Sequence, residues 1–195
     1  MLQFQELTSQ HGAQLRRYYE TCDYRLCEYS LGVKLMWRGY LHPSFAEAAG
    51  CLIIRNCIEG EYVFDYPITG TDGDTEGALR AIESWCSQKG LPLVLSVVPE
   101  DKAAQLVLRY PRCRVISERP WKDYLYRTEE LAAFAGRRYS GQRNHINKFR
   151  RDYPDAEFTP LIDDADPRLT TFWQDYAAEF HKSGPLAVQE LVLAQ

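Results

Sequence analysis

The chain has 195 residues, 45% hydrophobic and 13% aromatic, with a formal net charge of −4. That is enough apolar chain to bury a core, as one large domain or one and a half small ones, and the mild acidity excludes a protein that coats nucleic acid with its whole surface. No apolar run approaches the roughly 20 residues that cross a bilayer and MLQFQELTSQ lacks the basic and apolar regions of a signal peptide, so the expected location is cytoplasmic.

In chain order, FQEL followed by AQLRRYYETC reads as a short strand entering an amphipathic helix, and SLGVKLMWRGY continues as a helical or turn segment carrying Trp37 and Tyr40. The period then changes. CLIIRNCIE and EYVFDYPI are β-rich runs separated by a glycine, which predicts a hairpin, with Pro67 ending its second strand. GTDGDTEG is turn chemistry, and ALRAIESWCSQKG spaces Ala78, Leu79, Ile82, Trp85 and Cys86 as one helix face before Gly90 closes it. LPLVLSVV has the continuous apolar character of a strand buried on both faces. Beyond it, EDKAAQLVLRYP predicts a helix, CRVISE and DYLYR strands, EELAAFAG a helix, and EFTPL a further strand. The alternation predicts an α+β or α/β fold with a central sheet.

Shifting FQELTSQHGAQLRRYY by 154 residues lays it without gaps on FTPLIDDADPRLTTFW, so that Phe4, Leu7 and Leu15 meet Phe158, Leu161 and Leu169, and Tyr18 and Tyr19 meet Phe172 and Trp173. Apolar spacing alone also yields such matches. As a repeat, it divides the chain into a first domain at 1–155 and the start of a second copy at 156–195, with LTTFWQDYAAEFHKSG and PLAVQELVLAQ as two helices whose apolar face needs a partner or further chain.

The charge is uneven. From Leu131 to Arg151 there are six Lys and Arg residues and no acid, so the remaining residues sum to −10, the chain total of −4 less the window's +6. As a helix starting near Gly141, this segment puts Ile146, Phe149 and Tyr153 on one packing face and points Asn144, Asn147, Lys148 and Arg151 the opposite way. Its first turn holds Ser140, Gly141 and Arg143 where acids would normally complement the helix dipole. Free N–H groups, a glycine that permits close approach and an arginine describe an anion site; a merely solvated basic face is the alternative.

Other patterns carry less. Asp72, Asp74, Glu76, Gly77 and Glu83 fall at EF-hand-like positions, but a strand and proline turn precede them in place of an entering helix, so acids complementing a helix N-terminus account for them and no metal site is expected. The six cysteines have no CxxC spacing, and the four histidines show no metal spacing. No GxSxG or Cys–His pair marks covalent catalysis. In WKDYLYR, Asp123, Tyr124 and Tyr126 alternate on the expected strand.

The segments DYLY, L..F.G....GQRNHINKF and, upstream, EYSLGVKLMWRGY carry a resemblance to a bacterial family related to the C-terminal domain of phosphatidylglycerol lysyltransferases. The resemblance extends over the whole chain and implies a tandem GNAT-like fold, a mixed central sheet flanked by helices, of which this chain holds the first copy and the opening helices of the second. RYSGQR is also similar to the (Q/R)xxGx(G/A) phosphate loop of GNAT acyltransferases at Arg138 and Gly141, but it has Arg143 where that motif has a small residue. The activity implied is acyl or aminoacyl transfer, in which an amine attacks an activated ester or thioester from a phosphate-bearing donor, acyl-CoA or aminoacyl-tRNA, while oriented N–H groups stabilise the oxyanion.

On that reading Arg143, Lys148 and Arg151 contact phosphate, and Asn144 and His145 hydrogen-bond beside Gly141 at the helix start. Trp37 and Tyr40 line a groove, and Asp123 or Tyr126 is the candidate catalytic group for proton transfer. The alternative is a non-catalytic module whose basic face docks RNA, such as tRNA, or an anionic lipid headgroup. A homo-oligomer or a second half-domain would cover the remaining apolar surface.

Overall fold

The computed structural model describes residues 1–119, 122–160 and 166–180. The chain forms two compact units, dividing after Trp121. The first holds a mixed sheet of six strands: β1 (Gln5–Glu6), β2 (Ser44–Ala48), β3 (Cys51–Ile58), β4 (Glu61–Asp65), β5 (Ile68–Thr69) and β6 (Leu95–Ser96). Its order is β1-β2-β3-β4-β6, with β5 paired to β3. Every pairing is antiparallel except β4 with β6, which run parallel. A parallel pair needs a crossover, and helix α4 (Thr75–Lys89) supplies it. The mixed sheet and flanking helices are consistent with a GNAT-like α+β fold, as the resemblance implies.

Local chemistry sets this path. Ala49 and Gly50 (φ 51° and 71°) join β2 to β3, and Glu59 and Gly60 (φ 52° and 85°) join β3 to β4; both are two-residue turns with two positive φ values, whose twist suits an antiparallel hairpin. Gly50 is further required because a Cβ there would stand 2.9 Å from the Cα of Gly73. Leu52 and Ile54 of β3 enter a core with Leu15 and Tyr18 of α1 (Gly12–Thr21), while Cys51 and Ile53 enter another with Ile82 and Trp85 of α4. The uninterrupted apolar run CLII follows from burial on both faces. Each large side chain so buried contributes about 1.5–3 kcal/mol. Gly90 (φ 65°) then ends α4, donating its N–H to the Cys86 and Ser87 carbonyls.

Helices α2 (Leu31–Met36), α3 (Arg38–Leu41) and α5 (Glu100–Arg109) complete the first unit. The second contains α6 (Thr128–Ala133), α7 (Ser140–Asp152) and α8 (Pro167–Phe180). The glycine-linked hairpin and the helices at α4, α5, α6 and α7 stand as the sequence predicts. Four expected strands do not. LPLVLSVV contributes only Leu95 and Ser96 to the ladder, and residues 113–118, 122–127 and 157–160 form no strand. Val115, Ile116, Leu125 and Phe158 are exposed there. A β-rich run becomes a strand only beside another with open hydrogen-bonding groups; LPLVLSVV meets β4 over two residues, and the other three runs pair with no strand among the described residues. In the echo, Leu161 and the PLAVQELVLAQ segment lie outside the described residues.

One charged pair lies inside the first unit. Lys34 of α2 and Asp65 at the end of β4 are each 2% exposed, with Nζ 2.5 Å from Oδ2. Asn56 of β3 donates from Nδ2 to the other carboxylate oxygen at 2.9 Å. Burial pushes the Asp65 carboxyl above its usual range, opposed by Lys34 and Asn56. Removing one partner leaves the other charge stranded, so Lys34→Met should lower unfolding stability by about 3–5 kcal/mol, whereas the double change Lys34→Met, Asp65→Leu should cost less than the single one. Urea unfolding of the variants measures both.

A second polar contact docks α1 on the sheet. Tyr18 donates to the Glu47 carboxylate on β2 at 2.5 Å, Gln14 at 2.9 Å, and Arg17 also reaches it. Burial alone would raise the Glu47 carboxyl; the hydrogen bonds from Tyr18, Gln14 and Arg17 outweigh it and hold the group below its usual range. A depressed carboxyl adds stability that is present above the unfolded-state range and lost as pH falls through the folded value. Glu47→Gln should therefore flatten the acid side of the stability–pH profile and leave its alkaline side unchanged.

Candidate functional site

The parallel pair β4 and β6 stays in register for two residues, Phe64 with Leu95 and Asp65 with Ser96, and then parts. Tyr29, in the 3-10 turn Cys27–Tyr29 before α2, fills the fork: its hydroxyl is shared between the Val97 carbonyl at 2.8 Å and the Tyr66 carbonyl at 3.2 Å. Both acceptors are thereby satisfied without a ladder. Val97 has φ 52°, a left-handed conformation that costs a β-branched residue of order 1–3 kcal/mol. Backbone strain at the C-terminal ends of parallel strands marks where such sheets receive ligands.

A cleft of about 270 Å³ meets this fork at Tyr66 and is otherwise lined by the end of α1 (Thr21 to Tyr24), by Thr69, and by Thr75 and Lys102 at the starts of α4 and α5. Lys102 stands 2.9 Å from Asp101, and Asp23 shares the wall, so the cleft offers both signs of charge. The Thr69 and Thr75 hydroxyls are 2.8 Å apart. Burial pushes the Tyr24 and Tyr66 hydroxyls up, keeping them as neutral donors. This arrangement can orient a polar substrate. The EF-hand-like acids do not converge: Glu83 lies within α4, where Arg109 reaches it at 2.9 Å.

The basic segment forms the 13-residue helix α7, with no acid in its first turn. Acids just outside the charged window answer much of its charge. Arg138 pairs with Glu130 at 2.5 Å, and Lys148 and Arg151 share Asp152. Arg143 donates to the carbonyls of Phe134 and, at 2.7 Å, Gly136. It thus holds the end of α6, where Phe134 is left-handed, against the start of α7. Arg137 and Arg150 make no ion pair among the described residues. Asn144 and His145 are exposed, and a Cβ on Gly141 would meet nothing within 4 Å, so this end of the helix is open.

The expected packing face of α7 is not buried. Phe149 and Tyr153 are 53% and 62% exposed and lie against each other at 5.1 Å. Apolar periodicity announces a buried face, and what would cover this one is not among the described residues. Asp123 and Tyr126 are exposed and off any strand, with Tyr126 stacked on Tyr124 at 6.5 Å. Trp37 sits half-buried where α2 meets α3, and Tyr40 is exposed on α3, so these two belong to the first unit and the other expected site residues to the second.

Sequence reasoning passed over Tyr29, Val97 and Lys102. A lysine beginning the helix after an apolar run was the available signal for the last. No sequence pattern announces a valine at positive φ. The Arg143 contacts predict that Arg143→Ala speeds amide exchange at Phe134 and through the first turn of α7, with little change at the last turn; hydrogen–deuterium exchange resolves the two ends.

The family described as phosphatidylglycerol lysyltransferase, C-terminal, matches residues 19–185. No curated protein matches the chain. Among solved structures, a conserved protein of unknown function from Bacteroides thetaiotaomicron VPI-5482 superposes with a TM-score of 0.82 at 23% identity, over 100% of this chain and 67% of that one. At that identity the likeness bears on the fold. On the family match, which spans most of its length, the chain belongs to the phosphatidylglycerol lysyltransferase C-terminal domain family.

Proposed function

We propose that the chain moves an acyl or aminoacyl group from a phosphate-bearing donor, aminoacyl-tRNA or acyl-CoA. The family match carries this reading, supported by a cleft at the ends of α1 and β4 whose hydroxyls are fixed in place. A nucleophilic amine or hydroxyl attacks the acyl carbon, the carbonyl oxygen takes negative charge beside oriented donors, and the ester oxygen or thioester sulfur leaves with a proton. Asp123 or Tyr126 is the proposed proton carrier. Trp37 and Tyr40 are proposed to line a groove on the first unit.

The donor's phosphates are proposed to bind α7. Arg150 on the helix and Arg137 in the 3-10 turn (Arg137–Tyr139) before it are the readiest cations, because they give up no ion pair to bind. Lys148 and Arg151 follow by exchanging Asp152 for phosphate, with Asn144, His145 and the open turn at Gly141 beside them. Arg143 keeps the helix start in place. The sequence echo supports a second GNAT-like copy beginning at 156.

A second reading is favoured by one observation. The exposed Phe149 and Tyr153 rings beside Lys148 and Arg150 combine aromatic surface with charge, as surfaces that bind single-stranded RNA or anionic lipid do. In that case the chain is a docking module without chemistry.

The readings separate experimentally. Charged tRNA titrated at several salt concentrations should bind with a steep salt slope, which falls by about 0.7–0.9 for each phosphate contact removed in Arg137→Ala, Arg150→Ala. Incubation with aminoacyl-tRNA or acyl-CoA should release the uncharged carrier in the presence of an acceptor. Salt-sensitive binding without release supports the docking module, and neither binding nor release overturns both.

A further inference from the structure

Arg55 presents a different kind of site in the first unit. On β3 it follows Cys51 and Ile53 on the face that packs against α4, and its guanidinium lies 4.3 Å from the Phe4 ring centroid, 4.6 Å from Tyr62 and 5.1 Å from Trp85. Its Nε donates to the Ser44 hydroxyl at 3.0 Å, and that hydroxyl donates back to the Arg55 carbonyl at 3.1 Å. Three rings and a hydroxyl thus fix the plane of the group. Of the five guanidinium N–H donors, the four on the Nη atoms have no acceptor among the described residues.

Among the described residues no carboxylate pairs with Arg55. That separates it from Arg17, Arg80, Arg109, Arg138 and Arg168, each of which reaches an acid. Burial among the rings lowers its proton affinity. The ring faces attract a cation, but they do not accept hydrogen bonds in the plane of the fork. Arg55 borders a cleft of about 370 Å³ with Arg38, His42 and Ser44, where Glu6 is the opposing acid. Arg38 uses one Nη on the Leu35 carbonyl at 3.0 Å. His42, left-handed at φ 43°, ends α3 at the cleft.

We propose that this cleft binds a small oxyanion, a carboxylate or a phosphate group, on the Nη edge of Arg55, with Arg38 and His42 supporting it. A fork already held in plane loses little freedom when two oxygens dock on it, and a carboxylate or phosphate matches its spacing. The site shares no residue with the cleft at Tyr66 or with α7, so it stands whether or not the chain transfers an acyl group.

The test follows the arginine Nε–Hε resonances of the whole chain while sodium phosphate, or separately sodium acetate, replaces chloride at constant ionic strength. The Arg55 signal should shift saturably, and the anion that saturates it identifies the group taken. Affinity should fall by about tenfold in Arg38→Ala and rise several-fold in Glu6→Gln, which removes the opposing carboxylate. Arg55→Lys keeps the charge without the fork and should lose binding; should it fail to fold, the two exposed-residue variants decide. Absence of saturation with both anions, or an affinity that neither variant changes, overturns the proposal.

Discussion

Lys34 and Asp65 meet where neither side chain reaches water, and the geometry where β4 parts from β6 depends on that meeting. Two ions withdrawn from solvent hold one another and cannot part cheaply. Asp65 is the last residue of β4, and Lys34 lies on α2. Their contact therefore seats α2 at the end of the strand, and it also seats the 3-10 turn before α2, whose Tyr29 hydroxyl reaches the carbonyls of Tyr66 and Val97. Asn56 ties β3 into the same group. The sheet opens beyond Asp65 because a side chain, rather than a neighbouring strand, satisfies the backbone there.

The second unit shows how a basic sequence differs from a basic surface. Six cations fall in a window without acids, yet Glu130 and Asp152 stand at its borders and take three of them, and backbone carbonyls take Arg143. Helical spacing brings Lys148 to Asp152 four residues on, whereas Glu130 of α6 reaches Arg138 in the turn that leads into α7. What stays distinctive about α7 is the pairing of uncommitted arginines with exposed aromatic rings. Arg55 offers the reverse case, a single arginine in a mixed sequence that forms no ion pair among the described residues.

Much of the first unit was legible along the chain. The glycine-linked hairpin, the face of α4 and its glycine stop are written in local periodicity and turn chemistry, which depend on neighbours a few residues away. LPLVLSVV was misread as a full strand, because β-character shows only that a segment can pair and the available partner edge ends at Asp65. CRVISE, DYLYR and EFTPL pair with no strand among the described residues. The buried pair did leave a trace, a lysine within SLGVKLMW and an aspartate within EYVFDYPI, each charged residue interrupting an apolar run. That they face each other is a tertiary fact. The fork at Val97 and the cage around Arg55 are likewise assembled from distant segments, so no spacing rule reaches them.

The central claim is that one buried ion pair holds the junction of β4 with β6. Native-state hydrogen exchange on Lys34→Met tests it most directly. The amide of Phe64, which bonds to the Val94 carbonyl across that junction, should exchange much faster than in the wild-type chain, while the amides pairing β2 with β3 keep most of their protection. Equal loss of protection at both places, or unchanged exchange at Phe64, would contradict the claim.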